Sequence, residues 1–163
     1  MIILEKLNEF DIVQNAALGS ILICSFVSEF YKTQDEKRGP TLPYLMLVLP
    51  LLFNQHFVNS VYSKQRKGGL YNALNEDRVL FAGVQGRMES MSKLTLRSIH
   101  IGMAAKILLV DKNTFELIPI RSKIPDFKEN ENIKRMLVAS KRLGYWFSTI
   151  DFNQLCALLK VRF

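Results

Sequence analysis

Residues that carry covalent or metal chemistry are scarce in this chain. Its 163 residues include two cysteines, Cys24 and Cys156, and two histidines, His56 and His100. The cysteines form no CxxC and have no histidine at ligand spacing, which argues against a structural zinc site. Both sit in apolar stretches of helical pattern and read as buried free thiols of a reducing compartment. The histidines fall on different predicted helices, with no Cys, Asp or Glu at ligand spacing, and read as structural or surface residues. No GxxxxGK[ST] phosphate loop, GxGxxG after a strand, GxSxG elbow or HExxH helix occurs. A bilayer-spanning helix needs roughly 18–20 apolar residues. The most apolar run, Leu42 to Phe53, is shorter and holds Pro43 and Pro50, so it reads as a buried helix. The opening Met1-Ile-Ile-Leu-Glu-Lys-Leu-Asn-Glu lacks a basic segment followed by a long apolar core and does not read as a signal peptide. Together these absences favour a cytoplasmic, non-enzymatic chain with no cofactor and no membrane partner.

What the chain does have is apolar mass and positive charge. Hydrophobic residues make up 48% and the formal net charge is +7. The first is enough for a real interior, well above the level of disordered chains. The second favours an acidic partner, either nucleic acid or protein, although a basic balance also serves plain solubility.

Periodicity predicts a mainly α fold with one β-hairpin, as a single domain over 1–163. Residues 1–14 read as partly extended or irregular. A largely buried helix starts near Asn15 and ends near Lys32, on Ala17, Ile21, Cys24 and Tyr31 widened by Leu18, Leu22 and Phe26. Thr33 to Pro40 is a polar loop closed by Gly-Pro. Thr41 is placed to cap the next helix, with Pro43 in its first turn and Pro50 expected to kink or shorten it. Helical pattern continues from His56 to Arg66, and Gly68-Gly69 marks a turn. Leu70–Leu74 is a short helix. A helix over 77–91 follows, on Val79, Leu80, Val84, Met88 and Met91, then one over 93–104 capped by Ser92. The runs 106–110 and 115–120 around Asp111-Lys-Asn-Thr predict the hairpin, with Pro119 pointing to an edge strand. Residues 121–128 connect to a helix over 129–147. Asp151, with Gln154 three residues on, has the pattern of a capping box for the last helix. Trp146 and Phe147 are expected to be structural, with Trp146 against that final helix.

Two chemical readings follow. Helix, helix and hairpin over about 70–121 have the order of a winged helix, whose second helix can enter a DNA major groove. Lys93, Arg97 and His100 fall at i, i+4 and i+7 and share one face. Lys112 lies in the wing loop, and Lys134, Arg135, Lys141 and Arg142 add charge on the helix 129–147. This set fits double-stranded DNA, or equally an acidic protein surface. Aromatics are not interleaved with it, so single-strand stacking is not indicated. The second reading, Asp111 with Asp126-Phe127-Lys128, resembles the acidic and Asp-x-Lys elements of metal-dependent nucleases. Its placement in a hairpin turn and a loop after Pro125, not a core strand, counts against it.

Four ordered segments resemble the middle-component family of three-component ABC systems. Asn15-Ala-Ala-Leu-Gly-Ser-Ile-Leu is similar to an N-P-A-L-x-A-x-L opening, with Ala16 in place of proline. Leu42-Pro-Tyr-Leu-Met-Leu-Val-Leu-Pro-Leu-Leu-Phe-Asn-Gln-His56 resembles the family's apolar helix. Arg87 matches a basic position. Ala139-Ser-Lys-Arg-Leu-Gly-Tyr-Trp-Phe-Ser and Leu155-Cys-Ala-Leu-Leu-Lys-Val-Arg-Phe163 resemble its ending, with Lys160 for glycine and Phe163 for proline. The resemblance spans about residues 13 to 163. It implies an adaptor encoded beside an ABC ATPase of the chromosome-maintenance kind and a variable effector, often a nuclease, in Lamassu-like defence against phage and plasmids. It supplies no catalytic residue. The rival reading from the residues is a stand-alone winged-helix transcriptional regulator.

Overall fold

A computed structural model describes residues 9–63, 69–120 and 130–163. Lys64, Arg66, Lys67 and Gly68, the connection 121–128 and Asp126-Phe127-Lys128 lie outside the described residues. Eight α-helices and one hairpin are described: α1 Glu9–Thr33, α2 Leu42–Leu52, α3 Gln55–Tyr62, α4 Gly69–Glu76, α5 Val84–Ser90, α6 Ser92–Ala104, β1 Leu108–Val110, β2 Leu117–Pro119, α7 Glu131–Ser148 and α8 Phe152–Leu159. The expected mainly α fold with one hairpin is what forms.

α1 is the central helix, and two other helices pack on different faces of it. Small residues set both contacts. On the α6 side, Gly19 faces Ser98 while Gly102 faces Ser20 and Cys24. On the α7 side, Gly144 lies over the Phe26 carbonyl, and Ser140 Oγ donates to the Leu22 carbonyl at 2.6 Å. α1 begins at Glu9, earlier than its periodicity indicated. α2 is apolar on nearly every side and is buried accordingly. Pro50 lies inside it, and the helix stops two residues later. Asn54 then turns extended and caps α3 through the His56 and Phe57 N–H groups. α2 and α3 meet at 95°. No single helix among the described residues is long and apolar enough to cross a membrane.

Four local expectations are corrected. The helix over 77–91 is not continuous. Asp77 caps a 3₁₀ turn, Arg78–Phe81, and Gly83 at φ +75° breaks the chain before α5. Val79, counted on the apolar face, is 72% exposed, whereas Phe81 is buried. Ser92 is not a cap but the first residue of α6, its hydroxyl bonding the Glu89 carbonyl. Thr41 holds the cap position of α2 without a side-chain bond; its backbone instead bridges Glu116 of the hairpin. Asp151 caps α8 through the Asn153 N–H, but Gln154 does not complete the box and donates to Tyr71 Oη.

The hairpin strands are short, with Leu109 opposite Ile118. Asp111 Oδ1 closes the turn by accepting from the Asn113 and Thr114 N–H groups. The Leu117 N–H donates to the Pro40 carbonyl at 2.8 Å, so the Gly-Pro end of the first loop is where the hairpin docks. Phe26, Phe30, Tyr44, Phe147, Phe152 and Phe163 form a run of ring contacts joining α1, α2, α7 and α8.

Lys160 ends α8 at φ +55°, and the Val161 N–H donates to the Cys156 carbonyl at 3.0 Å. This is a Schellman stop, whose left-handed residue is normally glycine. Lys160→Gly is therefore expected to stabilise the fold by about 0.5–1 kcal/mol, the relief of the Cβ clash less the extra freedom glycine loses on folding. A lower urea midpoint for the variant would show that the lysine side chain contributes more than its strain costs.

Both cysteines are free. Burial pushes the Cys24 thiol up to about 12, and burial also raises Cys156. Thiolate is the reactive form, so Cys24 is expected not to react with a disulfide reagent at pH 8 until the chain is unfolded, whereas half-buried Cys156 reacts slowly. Two fast-reacting thiols in the native protein would contradict this.

Candidate functional site

α6 follows α5 almost directly, with Met91 between them accepting from the Thr95 N–H. Thr95, Ser98, Ile99 and Gly102 of α6 are buried. The opposite face presents Lys93, Arg97 and His100, all exposed, as their spacing required. Leu96 and Met103 are 50% and 41% exposed beside them.

A pocket of about 500 Å³ opens at the start of this helix, lined by Asn15 of α1, Phe53 at the end of α2, and Met91, Lys93, Leu94 and Arg97. Phe53, Met91 and Leu94 are partly buried and continuous with the core. Phe53 reaches the pocket from the C-cap of α2, where the chain turns into α3. No sequence signal joins these residues, which come from three separate stretches.

The other predicted residues are distributed differently. Lys112 is exposed in the hairpin turn, and Lys134 and Lys141 are exposed on α7. Arg135 and Arg142 are engaged within the chain. Arg135 Nε lies 3.4 Å from Glu131 Oε1, and its guanidinium stands 5.1 Å over the Tyr62 ring. Arg142 donates to the Val61 and Tyr62 carbonyls, tying α7 to the last turn of α3. Both guanidinium groups thus have partners within the chain.

Arg87 of α5, singled out by resemblance, has Nε and Nη2 buried without a hydrogen-bond partner among the described residues, and burial lowers its pKa. His56 Nε2 lies 2.8 Å from Asp77 Oδ2, a pair 21 residues apart in sequence. Among the described residues no third metal-ligating group joins them. Asp111, the described part of the nuclease-like pattern, is occupied by the hairpin turn.

A family model for the ABC-three component (ABC-3C) system Middle Component 3 matches residues 5–163. The chain belongs to that family. Middle Component 3 membership covers nearly the whole chain, including α6, the hairpin and the pocket. No curated protein and no solved structure matches it. As a middle component it is part of a multi-component system with other subunits.

Proposed function

We propose that this middle component is a non-catalytic adaptor that links an ABC ATPase of the chromosome-maintenance kind to an effector subunit, a nuclease in many such systems, within a Lamassu-like defence against phage or plasmids. The observation that carries this reading is the family match over residues 5–163. The surface is consistent with it: an apolar pocket with an exposed basic rim is the anatomy of a protein contact. Co-purification tests it. The tagged chain, expressed with the proteins encoded beside it, is expected to hold the ATPase or the effector through size exclusion. A chain that elutes alone overturns the reading. So does Mg²⁺-dependent DNA cleavage by the isolated chain that Asp126→Ala abolishes.

A second reading, a stand-alone winged-helix regulator, is favoured by the order α5, α6, hairpin and by the exposed Lys93, Arg97 and His100. It requires the isolated chain to bind duplex DNA. Neutralising Lys93 and Arg97 together would then flatten the salt dependence by about one unit of log–log slope per lost phosphate contact.

A further inference from the structure

We infer that the pocket at the start of α6 is the docking site for a short segment of a partner protein in which a bulky apolar side chain is flanked by carboxylates. The inference rests on the adaptor reading and names the chemistry of the contact. Phe53, Met91 and Leu94 give the pocket an apolar floor. Lys93 and Arg97 stand at its rim, both exposed. They are one helical turn apart, so their heads reach into the same region of space.

Some cations elsewhere on the surface pair within the chain, Arg38 with Glu116 and Arg135 with Glu131. Among the described residues, no carboxylate lies within ion-pair distance of Lys93 or Arg97. The rim therefore keeps its positive charge open to an acidic partner segment, and charge complementarity selects that occupant. By helical spacing the basic stripe lies between the pocket and the exposed Leu96 and Met103, so apolar surface flanks it on both sides. An apolar centre with a charged border is how a protein anchor is recognised. Duplex DNA fits less well. Its phosphates offer nothing to fill an apolar concavity.

The test uses the purified chain with its purified ATPase and effector subunits. Lys93→Glu with Arg97→Glu changes only exposed positions, and an unchanged melting temperature verifies the fold. This variant is expected to bind the pocket's partner about tenfold more weakly or worse. A photo-crosslinking residue at Ser90, on the pocket wall, is expected to capture a partner peptide with Asp or Glu beside a large apolar residue. Lysines placed at those acids should restore binding to the reversed variant. If the wild-type complex forms and the reversal changes its affinity less than about twofold, the docking site is overturned and the adaptor reading stands. If the reversal abolishes duplex DNA binding and spares the protein complex, the face serves DNA and the inference fails. If the wild-type chain binds neither subunit, the adaptor reading falls and this inference with it.

Discussion

Trp146→Ala is expected to destabilise the chain by about 3–5 kcal/mol, the range for emptying a fully buried aromatic site. Trp146 is 2% exposed and is among the largest side chains in the core. Its ring lies against the start of α4. A Cβ on Gly69 would sit 2.2 Å from Trp146 Cζ2, so the helix approaches the indole as closely as a missing side chain permits. Little can collapse into the space that truncation leaves, because Phe147 beside it is itself locked edge-on against Phe26 at 5.6 Å. For a chain of this length the loss corresponds to roughly 6–20 °C in melting temperature. Trp146→Phe, which keeps an aromatic plug, is expected to lose less than half as much. An unchanged melting temperature for the alanine variant would mean that the ring belongs to an interface and not to the core.

The burial of Trp146 and Phe147 was legible because both follow Gly144 at the end of a strongly amphipathic run. α7 was legible in the same way, and so was the hairpin, where the period itself changes from helical to extended; α1 was legible as a helix, but of its expected face Ala17 is exposed and Ile21 and Tyr31 are half-buried. Gly83 was not legible: an isolated glycine inside an apolar helical pattern is tolerated in most helices, and only its positive φ marks the break. Thr41 had the chemistry of a cap, yet the hairpin 75 residues later claims its backbone. At the surface, the i, i+4, i+7 spacing placed Lys93, Arg97 and His100 on one exposed face. That spacing cannot reveal where an arginine's donors go. Arg142 was grouped with the residues for DNA or partner contact, and its guanidinium also donates to the carbonyls of Val61 and Tyr62, about 80 positions away. The pocket was invisible for the same reason, since Asn15, Phe53 and Leu94 meet only in the folded chain.

Gly144→Ala is expected to cost about 1–3 kcal/mol although alanine is the better helix former, and Gly144→Val more. Glycine to alanine inside a helix normally gains about 1 kcal/mol. Here α7 rests directly on the α1 backbone: a Cβ at Gly144 would meet the Phe26 carbonyl oxygen at 2.6 Å, the Glu29 Cβ at 3.0 Å and the Phe30 nitrogen at 3.2 Å. Backbone cannot rotate aside as a side-chain tip can, so the two helices must separate. Separation also strains the 2.6 Å bond from Ser140 Oγ to the Leu22 carbonyl, one turn earlier on the same face. Overpacking of this kind costs about 1–3 kcal/mol, and the branched valine adds volume where none exists. Gly86, within α5, supplies the control: its absent Cβ would meet nothing within 4 Å among the described residues. Gly86→Ala is therefore expected to show the ordinary gain of about 1 kcal/mol. Opposite signs for the two glycine-to-alanine changes in urea denaturation would place the α1–α7 contact among the tight joints of the fold. Equal gains at both positions would mean that α7 can lift from α1 at little cost, and the central-helix packing described above would have to be abandoned.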